Sequence, residues 1–173
     1  GVRAKVVAVA NFKGGVGKTS TCAHLAMSAA LDGYKVLAID LDSQGSLTSI
    51  LGGQIKDEWD TSFPIIAGDF ARHLQSENKV RMAGDQEPFP MDETLTESLE
   101  VSPRNLIQST HWPNIDLLGS QLNLYWAEFQ IPVWRMQSGS WPLWDALLNG
   151  LENGGILDEY DIVLLDTPPA LGY

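Results

Sequence analysis

The feature that most restricts what this chain can fold into lies near its start. Residues 13–20 read Lys-Gly-Gly-Val-Gly-Lys-Thr-Ser, directly after the apolar run Val6-Val7-Ala8-Val9-Ala10. A glycine-rich turn lets backbone N–H groups approach an anion closely, because no Cβ stands in the way. When the turn leads into a helix, the amino end of that helix adds unpaired donors and a favourable dipole. The pattern is a phosphate-binding loop, and it requires a strand before it and a helix after it. Both are expected. Residues 4–10 are valine-rich, as in a strand buried on both faces. Over residues 21–31, Cys22, Leu25, Ala26, Ala29 and Ala30 recur at helical spacing, with Gly33 placed to end the helix.

The loop departs from the common G-x-x-x-x-G-K-[ST] form. Phe12 stands where the first glycine would be, and a second lysine, Lys13, precedes Gly14. In such a loop Gly14, Gly15, Val16, Gly17, Lys18, Thr19 and Ser20 are candidates to hold a nucleotide polyphosphate. Lys18 can reach the β- and γ-phosphates, and the Thr19 hydroxyl can ligate Mg²⁺. Lys13 is the unusual addition.

Further along, residues 35–41 read as a second buried strand running into Asp40-Leu41-Asp42-Ser43-Gln44-Gly45-Ser46. Strand alternation places Asp40 and Asp42 on one face. A short helix is expected over residues 46–51, stopped by Gly52-Gly53, and a longer one over residues 62–76. Residues 77–93, with Pro88 and Pro90, read as a polar surface insertion. A helical pair broken near Ser102-Pro103 follows over residues 94–107, then a strand over 114–119. A helix is expected over 121–136, kinked by Pro132, and another over 142–151. The last strand, residues 161–166, ends in Asp166-Thr167-Pro168-Pro169. A carboxylate at the carboxyl end of a parallel strand, opposite a phosphate loop, is suited to hold Mg²⁺. Strands alternating with helices predict an α/β fold with a mostly parallel sheet covered on both faces.

Composition bounds the rest. The chain has 173 residues, 44% of them hydrophobic, enough for one globular domain with a real core. Its single cysteine, Cys22, cannot make an internal disulfide, which suits a reducing compartment. No apolar run reaches the length of a membrane span. Net charge is −11, distributed as +2 over residues 1–50, −6 over 51–110 and −7 over 111–173. Such a surface repels DNA and anionic lipid. His24, His73 and His111 are isolated and lack metal-ligand spacing. Trp112, Trp126, Trp134, Trp141 and Trp144 are read as core packing, with a partner surface as the alternative. With Gly1 three residues before a core strand and Tyr173 just after a site motif, the expectation is a partial domain from a longer protein.

The three motifs together resemble those of the ParA/MinD group of deviant Walker ATPases. These are Lys13 to Thr19, Asp40 to Ser46 and Asp161 to Pro169. The Asp-x-Asp-x-Gln-Gly form resembles the ParA branch, with Ser43 where proline is common. Residues 110–124 are similar to the plasmid-partition RepA proteins. The resemblance implies a P-loop NTPase fold, a three-layer α/β/α sandwich, and ATP hydrolysis with Mg²⁺. It implies that Lys13 reaches the phosphates of a partner subunit in an ATP-dependent homodimer. Lys18 would be the P-loop lysine, Asp42 the carboxylate that activates water, and Asp40 its neighbour in the same site. Thr19 and Asp166, with Asp40 beside them, would hold the metal. The implied partners are a ParB-like centromere-binding protein and DNA bound without sequence preference through regions outside these residues, in the cytoplasm at the nucleoid and with no membrane. Two rivals are a MinD-like membrane-cycling ATPase and a non-catalytic nucleotide-binding module.

Overall fold

The structure is a computed structural model, and it describes residues 4–9, 16–42, 44–57, 59–120 and 143–166, the side chains of 16–19 and 143–144 excepted. The elements run β1 (Lys5–Val9), α1 (Val16–Leu31), β2 (Val36–Asp40), α2 (Ser46–Ile50), α3 (Phe63–Ala83) and α4 (Glu93–Ser98). A 3₁₀ turn (Pro103–Leu106), β3 (Ile107–Ser109), β4 (Ile115–Leu118), α5 (Leu143–Asn153), a second 3₁₀ turn (Ile156–Glu159) and β5 (Ile162–Asp166) follow among the described residues.

Among the described residues five strands form one sheet in the order β1-β5-β2-β4-β3. The β1–β5, β2–β5 and β2–β4 pairs are parallel, and β3 alone runs antiparallel, against β4. Alternation along the strands sends side chains to two separate cores. Leu37, Ile39, Val163, Leu165 and Leu118 face α3, α4 and α5, with Phe70, Leu74, Leu95, Leu147 and Leu151. Val36, Ala38, Leu164, Ile115 and Leu117 face α1 and α2, with Cys22, Ala26, Leu47 and Leu51. The result is the expected three-layer α/β/α arrangement.

Several elements differ from the sequence expectation. β1 lies at the sheet edge among the described residues, so it is half exposed and not buried on both faces, with Val6 37% accessible. On α1, Cys22, Ala26 and Ala30 are buried as expected, but Leu25 is 45% exposed and Ala23 takes its place inside. The small inner residues let α1 sit close to the sheet; Gly33, with φ +90°, ends it. α3 continues through residues 77–83, which were expected to be loop. That stretch, Glu-Asn-Lys-Val-Arg-Met-Ala, is polar but made mostly of good helix formers, and the prolines come only after Gly84. Only the segment after α3 is irregular, held by paired hydrogen bonds between the Asn78 side chain and the Phe89 backbone, 2.7 and 3.0 Å. Ile107, read as the last residue of a helix, instead begins β3, a three-residue strand at the sheet edge among the described residues, set by the preceding Ser102-Pro103 break. The expected helix over 121–136 lies outside the described residues, as do Trp126, Trp134 and Trp141. Trp112 is partly exposed.

Among the described residues Phe70 is the largest fully buried side chain, within the core on the α3 side of the sheet. Phe70→Ala should lower unfolding free energy by about 3–5 kcal/mol, the range for emptying an aromatic core site. Urea denaturation of the pair measures it, and a loss below about 1 kcal/mol would contradict this packing.

Candidate functional site

Three strand ends meet at the carboxyl edge of the sheet. The register pairs Val9 of β1 with Asp166 of β5, and Asp166 with Asp40 of β2. Asp40 and Asp166 are therefore neighbours on adjacent parallel strands, and both are fully buried. The chain leaves β1 at Val9 and enters α1 at Val16, so the loop carrying Lys13, Gly14 and Gly15 joins this same edge to a helix amino end. Lys13, Gly14 and Gly15 themselves lie outside the described residues. Val16, Gly17, Lys18 and Thr19 form the first turn of α1, where backbone N–H groups have no partner inside the helix. Ser20 follows on the exposed side of α1, with its Oγ 3.4 Å from His24 Nδ1.

Asp40 is held by three donors. Its Oδ1 accepts from the Asp42 N–H at 3.0 Å. Its Oδ2 accepts from the Thr48 N–H at 2.9 Å and from the Thr48 hydroxyl at 2.7 Å. The Thr48 amide is in the first turn of α2, whose N-cap position is Gly45 and so offers no side-chain oxygen. Asp40 supplies that oxygen from the end of β2 and caps the helix from outside.

Asp42 lies beyond the strand, in a turn, and is partly exposed. Alternation along β2 therefore does not carry through to it. Its Oδ1 accepts from the Gln44 N–H at 3.0 Å, and its carbonyl accepts from the Gly45 N–H at 2.9 Å. The same carbonyl accepts from the Ser120 hydroxyl at 2.6 Å. Gly45 has φ +68°, and a Cβ there would stand 3.0 Å from the Ser120 carbonyl oxygen. Both conformation and clearance thus require glycine in the Gln-Gly pair. One further bond, from the Leu41 N–H to the Asp166 carbonyl at 3.0 Å, carries the β2–β5 ladder one residue past the strand.

Sequence reasoning missed Thr48 and Ser120. Their signals were weak: a threonine eight residues past Asp40 on the inner side of a short helix, and a small polar residue just after the end of β4. Among the described residues no group of three His, Cys, Asp or Glu side chains is arranged to hold a metal ion. The carboxylate oxygens at this edge, those of Asp166 and Asp40, are nevertheless of the hard type that suits Mg²⁺. Two carboxylates buried side by side also favour a neighbouring cation.

Burial raises the Asp40 carboxyl from 3.8 to about 6; the Thr48 and Asp42 bonds oppose the rise, and the Asp166 charge adds to it. Folding therefore favours protonated Asp40. Its contribution to stability is fully present below pH 4 and is lost as pH rises through about 6. In metal-free buffer, the stability of the wild type relative to Asp40→Asn should fall by on the order of 3 kcal/mol between pH 4 and pH 7. A difference independent of pH, measured by chemical denaturation, would contradict this.

Comparison with known proteins agrees with the geometry. Residues 4–173 match the AAA domain family AAA_31. A Sinorhizobium fredii protein provisionally named replication protein A is 33% identical over 186 residues, a match covering 100% of this chain and 36% of that protein. The chain thus spans just over a third of the length of such curated relatives. Cobyrinic acid a,c-diamide synthase from Mycobacterium smegmatis, solved with bound ADP and magnesium, superposes with a TM-score of 0.66. It is 26% identical, over 96% of this chain and 51% of its own. A plasmid partition protein from Borrelia burgdorferi superposes with a TM-score of 0.51 at 25% identity, over 95% of this chain and 56% of its own. With its loop, its strand-end carboxylates and a family match over nearly its whole length, the chain belongs to the AAA_31 family of AAA domains, within the ParA/MinD group of P-loop ATPases.

Proposed function

We propose that the chain is the nucleotide-binding core of a partition ATPase that hydrolyses ATP with Mg²⁺, dimerises when ATP is bound and drives the segregation of plasmid or chromosomal DNA. The observation that carries this reading is the convergence at one sheet edge. The loop between β1 and α1, the buried Asp166 and Asp40, and the turn bearing Asp42 all lie at the carboxyl ends of adjacent parallel strands. Ligands of open α/β sheets bind at that edge.

The roles follow from position and chemistry. The α1 amino end, with Gly14, Gly15, Val16, Gly17 and Ser20, receives the polyphosphate, and Lys18 neutralises its β- and γ-oxygens. Thr19 and Asp166 would hold Mg²⁺, which when bound offsets charge on the phosphate oxygens. Asp40, committed to three donors, sits beside the metal position and supports the turn. Asp42, partly exposed just past the strand, orients the attacking water and accepts its proton. Lys13 reaches across to the phosphates of a second subunit, where it offsets charge as an arginine finger does in trans.

Fold similarity does not select partition over other family chemistries, since the superposition on the synthase is the better of the two. The two lysines around Gly-Gly-Val-Gly and the Asp-x-Asp-x-Gln-Gly run favour partition, together with the plasmid partition protein among the similar structures. The intact protein would then cycle in the cytoplasm between the nucleoid and a ParB-like partner. Its non-specific DNA contacts are assigned outside these residues, because a net charge of −11 repels duplex. No helix of the described residues is long and apolar enough to cross a membrane.

Mixing two defective variants of the intact protein tests the composite site. Asp42→Ala alone should bind ATP and dimerise without turnover, and Lys13→Gln alone should bind ATP as a monomer without dimerising or hydrolysing. A mixed dimer contains one site with neither lesion: the P-loop and Asp42 of the Lys13→Gln subunit with the other subunit's Lys13. Hydrolysis should therefore reappear on mixing. Mixed dimers that form and stay inactive would rule out the trans role, and wild-type turnover by Asp42→Ala would rule out its catalytic one.

A further inference from the structure

We propose that Thr48 and Ser120 are positioning residues that set where Asp42 stands. The inference rests on the reading of Asp42 as the carboxylate that orients water. Asp42 has left the regular strand, so the ladder of β2 does not fix it. Its main chain is held instead at both ends of one residue. The N–H donates to Asp40 Oδ1 at 3.0 Å, and the carbonyl accepts from the Ser120 hydroxyl at 2.6 Å.

A single hydroxyl ties these two supports together. Thr48 Oγ1 donates to Asp40 Oδ2 at 2.7 Å and accepts from the Ser120 N–H at 3.0 Å. The Thr48 hydroxyl and the Ser120 backbone are buried. Such a relay has one hydrogen-bonded arrangement and no water to substitute for a lost partner. It joins the end of β2, the first turn of α2 and the second residue after β4 into one unit, with Asp42 on top. Hydrolysis asks for a carboxylate fixed to within a fraction of an ångström, whereas phosphate binding at the α1 end does not involve this unit. The relay should therefore control turnover more than affinity.

Three variants of the intact protein test this beside Asp42→Ala. Thr48→Val keeps the shape of the side chain and deletes the hydroxyl. Its kcat for ATP should fall by about 10- to 100-fold, the cost of a small misplacement, with KM changed by less than about 3-fold. Thr48→Ser restores the hydroxyl and should recover most of kcat. Ser120→Ala removes one support and should lower kcat by about 3- to 10-fold, again with little change in KM. Wild-type kcat in Thr48→Val, with Asp42→Ala inactive, would overturn the positioning role and leave the catalytic reading standing. Full activity in Asp42→Ala would instead overturn the reading beneath it. A Thr48→Ser variant as impaired as Thr48→Val, or a KM that rises in step with the loss of kcat, would also overturn the positioning role by showing a general structural defect. If circular dichroism shows that Thr48→Val does not fold, Ser120→Ala decides, and an unchanged kcat there overturns the proposal.

Discussion

The rest of the site depends on one buried carboxylate. Asp40 ends a strand whose every residue is inside, beside another buried acid, in surroundings that push its proton affinity well up. Such a group is costly to keep ionised unless donors surround it. Here the donors come from the turn it begins and from the helix that follows. Meeting that demand brings the Asp42 N–H and the first turn of α2 back to the end of β2. The short α2 gains a cap, the turn gains its Asp42 N–H partner, and Ser120 is drawn in through the same Thr48 hydroxyl. Local structure at the candidate site is thus largely a consequence of satisfying one acid.

The two cores explain why that acid can be so exact in its placement. On one side of the sheet, small residues of α1 approach closely; on the other, α3, α4 and α5 pack larger side chains around Phe70 and Leu147. With both faces covered, β2 and β5 have no freedom to slip, because a one-residue shift would exchange their inward faces. The register that sets Asp40 against Asp166 is held by packing far from either carboxylate.

Much of this was legible in the sequence, for reasons that differ between elements. The phosphate loop announces itself through glycines and lysines that have no other common use, and its flanking strand and helix follow. β2 and β5 were readable because strands buried on both faces are continuous apolar runs ending abruptly in acids. The edge position of β1 among the described residues was not readable, since an edge parallel strand keeps the same valine-rich composition. Polar residues at 77–83 concealed the second half of α3, because surface polarity marks a solvated helix as readily as a loop. β3 is only three residues long, too short for any period to show. Thr48 and Ser120 were missed for a different reason: their importance lies in contacts across 72 residues of chain, which no local pattern records.

The central claim is that the sheet edge bearing Asp166 and Asp40 is where an ATP–Mg²⁺ complex sits. Calorimetric titration of ATP into the intact protein, with and without Mg²⁺, for the wild type and Asp166→Asn, addresses it most directly. Mg²⁺ should tighten ATP binding to the wild type, and Asp166→Asn should lose this enhancement while keeping its metal-free affinity. An enhancement of equal size in both proteins would place the metal, and with it the nucleotide site, away from this edge.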